Sequence, residues 1–472
     1  MFCNLLRLVG DYTATLRQSC IREQCHDAPG QGGGLLLSFE LRALSFNFAL
    51  FMDRLPGFRD FYPEPLPHTD VWSADARNYI FNAWRSTARR YGFREYDGPP
   101  LEPLELFTTK SGDEIVGQLY NFIDKGERGI SLRPEMTPTL ARMVAAHERA
   151  YKKPIKWFAI PQLFRYERQQ KGRLREHFQF NADIIGENDP AADAEIIALL
   201  IDSLRALKLT EDDFVIRLSS RQAWQQFYQR GTQNAERGDD PARAYEFYQI
   251  IDKLEREDPA VSRTKLDKLG FNLDDVTGFI AASQPTPELQ RVLDNLAARG
   301  LGGFVKIDYN VIRGLAYYTG VVFEAFDKKG EFRAIAGGGR YDNLVKLMSG
   351  GKVDLPALGF GMGDVVLLEL LKARGLLPKF DAGVDVFCLI EDETLRAESL
   401  KLITDLRGAG KVVEYSFTSS KADKQFKRAM ELNAANTARL ERTADGVVQV
   451  RVKNLKTREE QVLELAAVVG AV

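Results

Sequence analysis

Cysteine is scarce in most of this 472-residue chain: three of its four cysteines, Cys3, Cys20 and Cys25, fall at the N-terminus, and only Cys388 lies beyond them. That count excludes a disulfide framework or a cysteine-based zinc centre in the body of the protein. It fits a reducing cytoplasm. Histidine is equally sparse. His26, His68, His147 and His177 show no HExxH-type spacing and read as surface or packed residues rather than metal ligands. No apolar run approaches about 18 residues, so no membrane-spanning helix is expected. Charge of one sign is not in excess: 64 basic and 66 acidic residues leave a net charge of −2. Such balance excludes a protein coated in positive charge but leaves room for a local basic surface. Neither GxGxxG nor a P-loop occurs, which removes the dinucleotide-binding and Walker readings.

What is present is a globular composition, 44% hydrophobic and 28% charged, long enough for two or three domains. Residues 1–51 stand apart, with the cysteine cluster, a glycine run and no helical or strand period. They read as a disordered or non-native extension, with Met52 as the natural start of the folded body. From 70 to 92, Val71, Ala74, Ile80, Phe81 and Trp84 recur at helical spacing. GPPLEPLELF carries too many prolines for a central strand and reads as an edge or entry segment, and NFIDKGERGISLRPE reads as a hairpin. TPTLARMVAAHERAY reads as a helix opened by Thr137 as cap and Pro138 in its first turn.

Residues 156–186, KWFAIPQLFRYERQQKGRLREHFQFNADIIG, read as strand, basic loop, strand. Arg165 and Glu167 share one face of the first strand. Gln179, Asn181 and Asp183 share one face of the second, and Phe178, Phe180, Ala182 and Ile184 the other. Arginines, carboxylates and amides mixed on one face of long strands suit a polar substrate cleft better than a merely solvated sheet. Residues 190–300 read as mostly helical, opening with an amphipathic stretch at 191–207. A glycine triplet, 337–339, allows close backbone approach before Arg340. PALGFGMGDVVLLELLKARG reads as a glycine-rich strand running into a helix. After a linker near 375–383, strands alternate with helices in a small α/β domain. One of its helices carries Lys421, Lys424, Lys427 and Arg428 on roughly one face. That face is solvated, or contacts phosphate if a nucleic acid lies beside it.

In order from about residue 52 to the C-terminus, GFRDFYPEP, KSGDEIVGQLYNF, LRPEMTPTLAR, LFRYERQQKGRLREHFQFNADIIG, IRGLAYYTGVVFE and GGGRYDNL resemble the histidyl-tRNA synthetases, a class II aminoacyl-tRNA synthetase family. Each is weak alone; their order and spacing are specific, and RGLAYYTG resembles the loop that sets the family apart. The resemblance implies an α+β fold: an antiparallel-sheet catalytic core over 52–375 with a helical insertion at about 208–300, then an anticodon-binding α/β domain at 381–472. It implies a cytoplasmic homodimer, not bound to a membrane, with Pro100 at the interface. Its substrates would be L-histidine, ATP with Mg2+, and tRNA(His).

Residue roles follow from the same resemblance. Arg165 and Arg313 are the expected catalytic pair, gripping the α-phosphate and the substrate carboxylate; a guanidinium fork suits a phosphate better than a lysine does. ATP is expected at Arg165, Glu167, Arg173 and Arg340. Histidine is expected at Glu135, Thr137, Gln179 and Asp183, with Tyr317 and Tyr318 enclosing the imidazole; without the resemblance these tyrosines read as core aromatics. Arg168, Gln170 and Lys171 would meet the tRNA acceptor end. No protein side chain is expected to ligate the metal. Three positions depart from the family pattern. Asp183 stands where many members have Glu, Ala316 where they have Asp, and Val366 where a phosphate-holding arginine is usual. Arg340 is the candidate to replace that arginine. The competing reading is a catalytically silent histidine sensor, like the regulatory subunit of ATP phosphoribosyltransferase. A prolyl or threonyl ligase is disfavoured by RGLAYYTG.

Overall fold

The computed structural model describes residues 53–68, 71–108, 116–167, 174–232, 241–313, 317–380 and 383–472. The extension at 1–51, the loop residues Arg168, Gln170, Lys171 and Arg173, and Ala316 lie outside them.

The body opens with two short parallel strands, β1 (Phe61–Tyr62) and β2 (Trp72–Ser73), and the helix Ala74–Arg90. Ser73 caps that helix by accepting from the Ala76 N–H, Asp75 sits in its first turn and Arg89 and Arg90 in its last. Its apolar stripe, Ile80, Phe81, Trp84 and Ala88, is buried. Strand β3 (Arg94–Glu95) follows. Then β4 (Leu101–Pro103), β5 (Asn121–Ile123) and β6 (Gly129–Leu132) form a small antiparallel sheet, with the proline-rich β4 at its edge as the sequence predicts.

The main sheet adds β7 (Ile155–Ala159), β8 (Gln162–Phe164), β9 (Glu176–Ile185), β10 (Phe214–Ser220), β11 (Val305–Ile307), β12 (Val321–Asp327), β13 (Ala336–Arg340) and β14 (Ala357–Gly363). Its order is β11-β10-β12-β13-β14-β9-β7-β3, with β8 paired to β9. The six central strands run antiparallel and the two outermost pairings are parallel. One face packs on the helix Ala74–Arg90 and the helix Pro190–Arg205. Phe180 of β9 stacks on Trp84 with ring centres 5.5 Å apart, and Ala182 and Ile184 are buried beside it.

Three sequence expectations are corrected. Residues 214–220 form a strand inside the main sheet, so the helices between the sheet strands run from Arg221 to Ala298. The period-two burial of Phe214, Ile216 and Leu218 marks that strand, but polar flanks conceal it. Pro190–Arg205 is buried nearly all round rather than amphipathic, because it is sandwiched between the sheet and other helices. Met136, not Thr137, is the cap residue of the helix Thr137–His147, and it makes no side-chain cap bond.

The C-terminal residues build a second sheet from β15 (Val386–Leu389), β16 (Val413–Tyr415), β17 (Asn436–Arg442), β18 (Val448–Asn454) and β19 (Glu460–Glu464), in the order β16-β15-β17-β18-β19. It has apolar clusters of its own, around Val386, Leu402, Leu406 and Val450 and around Phe387 and Ala429. Cys388 is buried in β15, and burial pushes its thiol up to about 12, out of reach of ordinary redox or ligand chemistry. Among the described residues, no helix is long and apolar enough to cross a membrane.

Candidate functional site

The polar face of β9 opens into a polar cleft with about 460 Å³ of empty space, its solvent-open mouth included. Six separate stretches of chain line it, two of them at the glycine-rich β13 and β14. Gln179, Asn181 and Asp183 come from β9, as the strand's alternation requires. Glu135 and Thr137 come from the start of the helix Thr137–His147, Arg165 from just beyond β8, and Arg313, Tyr317 and Tyr318 from the loop before β12. Arg165 and Glu167 were expected on a strand; β8 ends at Phe164, and Pro161 separates it from β7. The Arg165 N–H still bonds the Arg175 carbonyl at 2.9 Å, so the arginine keeps a defined direction. Its side chain donates to the Pro134 carbonyl at 3.0 Å.

Two glycine strands make the room. A side chain at Gly337 would overlap the Arg313 guanidinium, and one at Gly359 would overlap the Asp183 carboxylate, its partner across β14 and β9. The triplet 337–339 therefore admits a protein side chain as well as narrowing the sheet. Arg313 holds φ at +58°, a left-handed conformation costly for a residue with a Cβ. Its guanidinium donates to Glu324 at 2.8 Å and lies 5.7 Å from the Tyr318 ring centre. Tyr317 and Tyr318 lie outside regular strand, which is how two neighbours both reach one cavity.

Acceptors and phenols share a hydrogen-bonded cluster at the other side. Tyr317 Oη donates to Glu135 at 3.2 Å, and Tyr341 Oη donates to Asp183 at 2.5 Å. Burial, and then the Asp183 charge, hold the Tyr341 phenol far above its ordinary value, so it remains a donor. Burial raises the Asp183 carboxyl to about 7, with the Tyr341 bond pulling the other way. His177 lies on the same face of β9. Its enclosure, then Arg165, then Arg59 depress the imidazole to about 3, so that ring is neutral. Tyr341, Asn181 and His177 are additions to the sequence-derived set. The alternation of β9 contained the signal for Asn181 and His177; nothing in GGGRYD alone pointed to the tyrosine.

Behind β9 sits a buried triad. Arg59 Nε meets Glu176 at 2.5 Å and Arg59 Nη1 meets Asp364 at 2.8 Å, all three side chains being nearly inaccessible. Asp364 also accepts the Phe178 N–H at 3.0 Å. This ties the GFRDF segment and the helix Asp364–Ala373 to the strand that carries the site.

Two expected ATP residues are not brought to the lining. Glu167 lies beyond it, its side chain 4.0 Å from Arg165. Arg340 is the other: its guanidinium is engaged by Asp193 at 2.5 Å, Asp342 at 3.4 Å and the Glu187 carbonyl at 2.8 Å. Its neighbour Tyr341 lines the cavity, but Arg340 itself is not among the lining residues. Val366 is half-buried against the main core, which makes its position part of the packing.

The sequence model of a family described as Histidyl-tRNA synthetase matches residues 69–364. The chain belongs to the histidyl-tRNA synthetase family. It is 46% identical to the histidine–tRNA ligase of Opitutus terrae, over 86% of this chain and 94% of that one. It is 37% identical to the chloroplastic/mitochondrial histidine–tRNA ligase of Arabidopsis thaliana, over 92% and 91%. The solved apo histidyl-tRNA synthetase of S. aureus superposes with a TM-score of 0.67 at 25% identity, covering 89% of this chain and 99% of that one. This membership fixes the fold as the α+β class II architecture, and relatives at this identity favour the ligase over the silent sensor.

Proposed function

We propose that the chain activates L-histidine with ATP and transfers it to the 3′ end of tRNA(His). The observation that carries this reading is the convergence of Arg165, Arg313, Glu135, Gln179, Asp183 and the tyrosine pair on one cavity from distant segments. A carboxylate oxygen of histidine attacks the α-phosphorus of ATP, a phosphoric–carboxylic anhydride forms, and pyrophosphate leaves. A ribose hydroxyl of the tRNA then attacks the activated carbonyl carbon and AMP departs. No protein nucleophile is needed, so the residues act by positioning and by stabilising charge. Arg165 and Arg313 face the phosphate and carboxylate anions. Glu135, Thr137, Gln179 and Asp183 accept from the donors of histidine, and Tyr317 and Tyr318 close on its ring. The neutral ring of His177 adds no positive charge beside Arg165. Arg173 and the loop residues Arg168, Gln170 and Lys171 keep their proposed roles toward phosphate and acceptor end.

Among the described residues no group of three acidic, histidine or cysteine side chains could hold a metal. Magnesium is proposed to enter with the nucleotide, carried by its phosphates. Residues 381–472 are proposed to read the anticodon. The exposed Leu101, Phe122 and Ile123 of the small sheet, next to Pro100, support a homodimer. The cytoplasm is the proposed compartment. Histidine-dependent ATP–pyrophosphate exchange followed by charging of tRNA(His) tests the whole: histidine binding without exchange would return the silent-sensor reading, and neither binding nor exchange would discard the assignment.

A further inference from the structure

In the C-terminal sheet, β15 lies between β16 and β17 and runs parallel to both. The chain leaves β15 for one neighbour and then crosses to the other. The connections therefore part at the carboxyl end of β15, the place where open α/β sheets form a ligand crevice. The loop after β16 borders that crevice and carries Phe417. This ring is 79% exposed, more than any other large apolar side chain described, and Tyr415 meets it edge-on at 5.2 Å.

The loop is held firmly. Gln425, itself buried, donates to the Ser420 carbonyl at 2.8 Å and the Ile390 carbonyl at 2.7 Å, and accepts the Ile390 N–H at 2.9 Å. Arg396 donates to the Ser416 and Phe417 carbonyls at 3.4 Å. A large aromatic fixed in water is costly unless something covers it.

Charge indicates the occupant. Residues 421–431 hold four basic side chains (Lys421, Lys424, Lys427, Arg428) against two acidic ones (Asp423, Glu431), a net of +2. Lys421 and Lys424 are exposed and make no ion pair with a carboxylate among the described residues. The carboxylates on the facing lip are engaged: Asp392 accepts from Thr394, Glu393 pairs with Arg396, and Glu391 with Arg439. A rigid exposed ring beside uncompensated lysines is the pairing that binds single-stranded nucleic acid, the ring by stacking and the cations by phosphate contact.

We propose that Phe417 is a stacking platform for an unpaired base of the tRNA anticodon loop, with Lys421 and Lys424 on the adjacent phosphates. This rests on the ligase reading and names the residues that reading leaves unassigned. The test measures binding of the full chain to a tRNA(His) anticodon stem–loop and, separately, to an acceptor-stem minihelix. Phe417→Ala should weaken stem–loop binding about tenfold or more, while Phe417→Trp retains it. Lys421→Ala should reduce the slope of log affinity against log salt by about 0.7. Stem–loop binding unchanged in Phe417→Ala, or an equal loss on the minihelix, overturns the proposal. If wild-type protein fails to charge tRNA(His), the ligase reading falls. If it charges and Phe417→Ala binds normally, only this surface falls.

Discussion

The nine-stranded sheet buries its charges, whereas the C-terminal sheet leaves its charges in water. In the first, Arg59, Glu176, Asp364 and Asp183 have almost no accessible surface. In the second, Glu441 accepts from Arg439 at 2.8 Å and from Arg451 at 2.7 Å, and Lys453 meets Glu460 at 2.7 Å, all on a partly exposed face. Arg439 and Arg451 are direct cross-strand neighbours, and Glu441 offsets their repulsion. The lesson concerns cost. Desolvated charge is expensive and is retained where it orients something; surface charge is cheap and is screened. The two regions should answer substitution very differently.

The largest response is expected from the triad. Arg59→Ala leaves Glu176 and Asp364 as two uncompensated buried carboxylates, and breaking such a pair costs about 3–5 kcal/mol. Chemical denaturation should show that loss, and a loss under about 1 kcal/mol would mean water reaches the triad. Next comes the cavity arginine. Arg165→Ala removes a donor aimed at developing phosphate charge, a change of about 10²–10³ in rate. Pyrophosphate exchange should fall by that amount with folding intact. A fall of less than tenfold would move the chemistry away from this cavity.

Much of this arrangement was legible in the sequence, for a physical reason. A half-buried strand must alternate, so Gln179, Asn181 and Asp183 had to share a face opposite Phe180, Ala182 and Ile184. The hairpin at 121–132 and the edge position of the proline-rich segment were legible in the same way. What stayed hidden depends on contacts far apart in the chain. Tyr341 reaches Asp183 across 158 residues, and Arg59 reaches Asp364 across 305. The pairing of Arg340 with Asp193 stayed hidden because its neighbours in sequence do not disclose that partner in space. The strand 214–220 was hidden because seven residues between polar flanks give too short a pattern to outweigh a helical neighbourhood.

Asp183 sharpens the comparison through pH. Burial sets its carboxyl near 7 in the free cavity, above the ordinary value of 3.8. The ionised form accepts from a histidine donor and the protonated form does not, so affinity should be full above about pH 7 and fade as pH falls through it. Asp183→Asn should abolish that component of the pH dependence of the histidine KM, leaving what the substrate's own imidazole contributes. Folding carries the opposite sign. A raised folded value means the group's stabilising contribution is complete below about 3.8 and lost as pH rises through about 7. Asp183→Asn should therefore raise the melting temperature of the ligand-free protein at pH 8 while weakening histidine binding. Unchanged melting together with an unchanged KM profile would place this carboxyl in water.

The smallest effect belongs to the exposed face. Glu441→Gln removes the carboxylate between Arg439 and Arg451, but solvent and salt already screen that pair. Its melting temperature should lie close to wild type, with the difference shrinking further as salt is raised. A large loss that persists in high salt would mean that this face is covered in the native assembly, and the contrast with the buried sheet would then be one of partner rather than of solvent.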